Sequence, residues 1–263
     1  CLFLYIWTPD TVSNDLAVMV FIHGGGNQQG SAVEFTLGTE VYNGKNLSQR
    51  GNVVVVTIQY RLGPLGFLVH PGLELENNQN TSGNYAVMDQ ILALEWVQSN
   101  ISNFGGDPSK VMIFGESAGG INVGNLLATP FAEGLFSRAC IQSATPTLQN
   151  YNDSRTYGIE FVDSLTSTGN NAEKISYLRT LNPETIIQSL ESPLSGGFVK
   201  PEWKPVMDQY IFENFPLSVF QTGDYNNVPV IIGSNADEMS LPAPQTVLPF
   251  MVDILINLYV PEA

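Results

Sequence analysis

The 263-residue chain carries 10 Lys and Arg against 25 Asp and Glu, a formal charge of −15, which excludes the clustered cationic surface that nucleic acid or an anionic membrane requires. Hydrophobic residues reach 43% while charged ones stop at 13%, well below the ~25% of an average soluble protein, so the chain can bury a large core under a surface of Asn, Ser, Thr and Gln. Its only two histidines, His23 and His70, lie in the first third, and a mechanism needing a later histidine must look elsewhere.

In chain order, the first run is Leu2–Trp7, already apolar and strand-like, with no initiator Met, charged leader or cleavage site before it, which reads as a cut start. Further strand signals fall at Ala17–His23, Val53–Gln59, Lys110–Gly115, Arg138–Ser143 and Val228–Gly233, with helical segments between them. This alternation predicts an α/β fold with a mostly parallel central sheet and helices on both faces. Val53–Ile58 lacks polar alternation, as expected for a strand buried on both faces. Val87, Ile91 and Leu94 recur at helical spacing and predict a helix over Asn84–Ser99, ending before a turn at Phe104-Gly105-Gly106-Asp107-Pro108. From residue 150 to 221 the texture changes to short helical pieces broken by Pro183, Pro193, Pro201, Pro205 and Pro216, with Asn182 as an N-cap before Pro183. This reads as a helical insertion beside the sheet of a single domain spanning 1–263. Val247–Val260 is apolar but carries Pro249 and Asp253 and, at ~14 residues, falls short of the ~20 that span a bilayer; it predicts an amphipathic helix covering a core. Cys140 reads as a buried free thiol.

The chemistry concentrates at Gly115-Glu116-Ser117-Ala118-Gly119, a G-x-S-x-G pattern directly after an apolar strand and before a run of small residues. A sharp strand-to-helix turn lifts Ser117 above the sheet, and Gly115 and Gly119 stand where side chains would strike neighbouring backbone. Upstream, His23-Gly24-Gly25-Gly26 follows a strand; its backbone N–H groups at Gly25 and Gly26, with that of Ala118, can receive a developing oxyanion. A phosphate-loop reading of Gly25 and Gly30 fails because Ser31 stands where the lysine belongs. His23 terminates the strand that places this loop and is expected to orient it rather than act as a base.

Taken together, Cys1–Pro9, the His23–Gly26 loop, Gln59-Tyr60-Arg61-Leu62-Gly63-Pro64, Gly83–Gln90, Phe104–Val111, Gly115–Gly120, Gln142-Ser143-Ala144 and Gly233-Ser234-Asn235-Ala236-Asp237-Glu238 resemble the type-B carboxylesterases, which include the cholinesterases, within the α/β-hydrolase fold. The resemblance implies hydrolysis of small-molecule carboxylic esters through an acyl-enzyme, without cofactor or metal, with Ser117 as nucleophile and Gly25, Gly26 and Ala118 as oxyanion donors. It implies Glu238 as the triad acid, with Asp237 the less favoured neighbour, and Glu116 as a pocket-floor residue. Arg61 and Asp89 match structural positions. Cys1 matches a cysteine that in relatives bridges upstream, which favours a secreted or periplasmic parent.

The resemblance breaks at the base. Triad order in this fold is nucleophile, acid, histidine, and no histidine follows Ser117. His70 precedes the nucleophile and matches no catalytic position. The expectation is therefore a partial carboxylesterase chain, incomplete at both ends, with an open sheet edge at Val228–Gly233 and little activity alone. The alternative is a cholinesterase-like domain kept for binding or adhesion without catalysis, against which stand the complete elbow and oxyanion loop.

Overall fold

Each of the six apolar runs contributes a strand to one sheet in the computed structural model, which describes residues 2–10, 15–36, 38–189 and 203–238. They are β1 (Leu4–Trp7), β2 (Leu16–Ile22), β3 (Val54–Ile58), β4 (Gly106–Glu116), β5 (Arg138–Gln142) and β6 (Val230–Gly233). Their spatial order is β1-β3-β2-β4-β5-β6. Every pairing is parallel except that of β1 with β3. All five residues of β3 are buried; because successive side chains point to opposite faces, both faces there are covered. Strand β4 starts earlier than its apolar run, at Gly106, opposite Leu16, before the register shifts to place Val111 opposite Val18. The residues between bulge out, and the turn chemistry survives inside the strand: the Ser109 N–H donates to Asp107 Oδ1 at 2.9 Å.

Helix α1 (Tyr85–Asn100) turns Val87, Ile91, Leu94 and Val97 into the core, the face that the spacing predicts. Helix α2 (Ala118–Ala128) follows β4 and is buried at most positions. Beyond it come α3 (Tyr151–Leu165), α4 (Asn171–Leu178), α5 (Pro183–Gln188) and α6 (Pro216–Thr222). Of these, α3 is longer than the short pieces expected. Asn182 caps α5 by accepting from the Glu184 N–H at 3.0 Å, with Pro183 in the first turn. Asn84, at the start of α1, does not cap it; its side chain donates to Val206 O and accepts from Val206 N, both at 2.9 Å. That pair fixes the two-residue parallel bridge of Gln149–Asn150 with Val206–Met207 to the main body. Arg61 and Asp89, which match structural positions, form an ion pair at 2.7 and 2.8 Å through Nη2 and Nε.

One expectation needs correction, and others fall outside the described residues. Cys140 is free but only half-buried: it stands in register with Ile231 of β6, which is 67% exposed, so little covers that rung of the sheet. Cys1, Pro193, Pro201 and Val247–Val260 lie outside the described residues. Among the described residues, no helix is long and apolar enough to cross a membrane.

Candidate active site

From β2 the chain crosses to β3 on one side, and from β4 to β5 on the other. A crevice therefore opens at the carboxyl ends of β2 and β4, where the strand order reverses and ligands collect in parallel sheets. The His23–Gly26 loop leaves β2 and Ser117 leaves β4, so the two motifs meet because Ile22 pairs with Gly115 in the ladder.

Ser117 sits at φ 54°, ψ −125°, a conformation costing an L-residue about 1–3 kcal/mol and kept only where the surroundings enforce it. Here the Ser117 N–H donates to Gln142 O at 3.0 Å and Ser117 O accepts from the Ile121 N–H at 2.9 Å. A methyl group on Gly115 would stand 2.5 Å from the Gly119 carbonyl carbon, and one on Gly119 only 2.0 Å from Ile22 O. Both glycines are thus fixed by close backbone approach, as the motif predicts. The following Gly120 is held the same way, 2.7 Å from Ala144 Cβ by the same measure. Across the crevice, a methyl on Gly24 would lie 3.3 Å from Ser117 Cβ, so the His23–Gly26 loop packs directly on the turn that carries Ser117.

Gly25 and Gly26 adopt φ of 99° and 67°. The Gly25 carbonyl is turned into its own loop, accepting from the N–H groups of Gln28 and Gln29 at 3.1 Å each. The N–H groups of Gly25 and Gly26 donate to no acceptor among the described residues, and nothing lies within 4 Å of where a side chain on Gly26 would be. His23 is fully buried, stacked on Tyr60 with ring centroids 4.4 Å apart, and its Nδ1 contacts Gly24 O at 2.9 Å. The Tyr60 hydroxyl donates to His23 O at 2.7 Å. Burial pushes the imidazole below the ordinary histidine range, the Gly24 carbonyl and the charge of Glu34 opposing it. The ring and the carbonyl of His23 are thus both held by contacts within the fold.

On the other flank, Ser143 follows β5 at φ 53° and donates its N–H to Gly233 O at 2.8 Å. Glu238 Oε1 accepts from the Asn235 N–H at 2.5 Å, and Asn235 Nδ2 donates to Ser143 Oγ at 3.4 Å. The Ser143 hydroxyl first, and then the Asn235 N–H, hold the exposed Glu238 carboxyl below the usual glutamate range. Glu116 is raised instead, by partial desolvation and then by the charge of Glu238. Ser117, Glu116 and Glu238 therefore gather at one end of the sheet. His70 is fully buried, and its Nδ1 is committed to accepting from the Gly72 N–H at 3.0 Å, capping the helix Pro71–Glu74. It offers no lone pair there for a base.

Four residues of this site make contacts that no motif announces: Tyr60, Ser143, Asn27 and Asn122. Asn27 Oδ1 accepts from Asn122 Nδ2 at 2.9 Å, a link between residues 95 positions apart that no local pattern announces. Gln142-Ser143-Ala144 is visible as a motif, without the role its geometry gives Ser143.

A sequence model of the Carboxylesterase family matches residues 1–252. The chain is 39% identical to the fumonisin B1 esterase of Sphingopyxis macrogoltabida over 245 residues, covering 90% of this chain and 42% of that protein. It is 35% identical to the para-nitrobenzyl esterase of Bacillus subtilis, covering 90% of this chain and 47% of that protein. The chain thus spans less than half the length of either curated relative. A solved PNB esterase structure superposes with a TM-score of 0.83 at 32% identity, over 98% of this chain and 54% of that one. With the elbow, the loop after β2 and the sheet order all in place on an α/β-hydrolase scaffold, the chain belongs to the carboxylesterase family.

Proposed function

We propose that this chain forms the nucleophile-bearing portion of a serine carboxylesterase acting on small-molecule carboxylic esters. Ser117 Oγ attacks the ester carbonyl carbon and gives its proton to a histidine. The carbonyl oxygen, now an oxyanion, is received by the N–H groups of Gly25, Gly26 and Ala118. The intermediate collapses, the alcohol leaves with the proton from the imidazolium, and water then releases the acid from the acyl-enzyme by the same steps. Glu238 fixes the imidazole tautomer and stabilises the imidazolium, and Glu116 tunes the pocket beside the nucleophile. The reaction needs no cofactor. On this reading the histidine comes from sequence outside these residues, because His23 and His70 are both buried and held elsewhere. Residues 1–263 form one domain in which 150–221 are a helical insertion, and the resemblance of Cys1 to a bridged cysteine favours a secreted or periplasmic setting.

The observation that carries this reading is Ser117 held at φ 54° directly against the Gly24–Gly26 loop. Hydrolysis of a 4-nitrophenyl ester by the full-length protein tests it: Ser117→Ala lowers kcat by roughly 10⁴–10⁶-fold. Turnover that survives this substitution with unchanged kcat overturns the assignment.

A further inference from the structure

The oxyanion hole on this reading is built from two separate pieces of chain. Gly25 and Gly26 belong to the loop after β2, while Ala118 opens α2. Three N–H groups can converge on one oxygen only if the loop and the helix keep a fixed separation, and a displacement of ~1 Å can cost about 10²-fold in rate. Glycine makes the loop able to adopt its shape and equally able to leave it. Something other than the glycines must hold it to the helix.

The link is the Asn27–Asn122 pair. Asn27 follows Gly26 directly and sits at φ 59°, a left-handed conformation that asparagine tolerates better than most residues. Asn122 lies within α2, more than a turn beyond Ala118. Both side chains are fully buried, and Asn122 Nδ2 donates to Asn27 Oδ1 at 2.9 Å. Beside them, the Tyr60 hydroxyl donates to His23 O at 2.7 Å. Asn27 O accepts from the Gly63 N–H at 2.8 Å. The loop is thereby tied on one side to the helix of the nucleophile and on the other to the segment after β3.

Stability alone does not account for the pair. Asn27 Nδ2 and Asn122 Oδ1 find no hydrogen-bond partner among the described residues, so two amides are buried for a single mutual hydrogen bond, a costlier arrangement than a packed apolar pair. A costly buried polar link between two catalytic elements is explained by the geometry it fixes. We propose that Asn122 is a positioning residue that acts through Asn27 to set the distance between the Gly25 and Gly26 donors and the Ala118 donor, and so stabilises the transition state more than the bound ester. This deepens the assignment of Ser117 and the oxyanion donors and rests on it.

The test is a mutant cycle in the full-length protein on a 4-nitrophenyl ester, with thermal unfolding recorded for each variant. Asn122→Leu, close in volume but unable to donate, lowers kcat about 10- to 100-fold with KM held within about twofold. Asn27→Gly, which permits the same backbone conformation, does likewise, and the double variant is no slower than the slower single one because both break one link. Should Asn122→Leu fail to fold, Asn122→Ser carries the same readout. A folded Asn122 variant with unchanged kcat overturns the proposal, as does a double variant whose loss is the product of the singles. Ser117→Ala keeps the two readings apart: if it abolishes turnover while the Asn122 variants leave kcat alone, only the positioning role falls. If Ser117→Ala leaves turnover intact, the site assignment falls first.

Discussion

On the proposed function, the nucleophile side and the acid side of the crevice are built by different means. Around Ser117, backbone meets backbone: methyl groups on Gly115 and Gly119 would stand 2.5 and 2.0 Å from neighbouring main-chain atoms, and Ile22, Val20 and Ile113 behind them are fully buried. Around Glu238 there is little to meet. The carboxylate is exposed, Gly233 has nothing within 4 Å of where a side chain would be, and Ile231 and Ile232 of β6 are 67% and 65% exposed although they point to opposite faces. Among the described residues, both faces of the sheet are uncovered at that edge and β6 pairs with β5 alone. Strain can be stored only where packing over-determines the backbone. The serine thus sits in the well-packed half, and the acid is placed by a few hydrogen bonds from Ser143 and Asn235.

The largest effect that separates the two sides is chemical. Glu238→Gln keeps the shape of the side chain but removes the charge that would stabilise an imidazolium, and an analogous change in a serine protease triad lowers kcat about 10⁴-fold, equivalent to about 5.5 kcal/mol in the barrier. Because Glu238 is exposed, its loss leaves the unfolding midpoint nearly in place. Steady-state kinetics and thermal unfolding of the same full-length variant check this pair of outcomes. A kcat within tenfold of the wild type would move the acid role away from Glu238.

Structural insult gives the reverse ranking. Gly119→Ala drives a methyl into Ile22 O and costs about 3 kcal/mol or more, since neither strand nor helix can yield without moving the elbow. Gly233→Ala on the acid side falls within ~0.5 kcal/mol of neutral. Urea unfolding of the two variants measures the difference, and equal shifts would mean that the elbow is no tighter than the edge.

What could be read from sequence follows the range of the interactions. The six strands are legible because buried β-structure needs apolar runs, and the elbow is legible because its glycines are demanded by contacts within a few residues and one neighbouring strand. Glu238 is reached through resemblance, since its hydrogen bonds to Asn235 are local but its position at the same end of the sheet as Ser117 depends on β5 and β6 pairing. The links that span the chain are silent: Asn84 with Val206, Tyr60 with His23, Asn27 with Asn122. Each is an ordinary polar residue until the sheet order brings its partner near. Strand β4 is misjudged at its start because Asp107 makes a turn within a strand, and Cys140 because its burial depends on what covers Ile231.

The smallest effect concerns acid, and it discriminates the two sides by pH. Burial lowers the titration of His23 and of His70 below the ordinary value of 6.5. A histidine lowered on folding binds its proton more readily when unfolded, so its contribution to stability is complete above 6.5 and is lost as pH falls from 6.5 toward the folded value. Each such group adds up to about 1.4 kcal/mol per pH unit to the slope within its window. Glu238 is lowered from 4.5, so the acid side keeps its charge throughout this range. Glu116, raised from 4.5, acts with the opposite sign in a window that opens upward from 4.5, and a Glu116→Gln background removes it. In that background, unfolding free energy measured between pH 7.5 and 5.5 falls as pH falls. His70→Asn, whose amide oxygen replaces Nδ1 as the acceptor for the Gly72 N–H, takes away one histidine's share of the slope. The remainder belongs to His23 and the oxyanion loop. A flat profile after His70→Asn would mean that His23 takes up no extra proton on unfolding and that the tight packing of the nucleophile side does not extend to its imidazole.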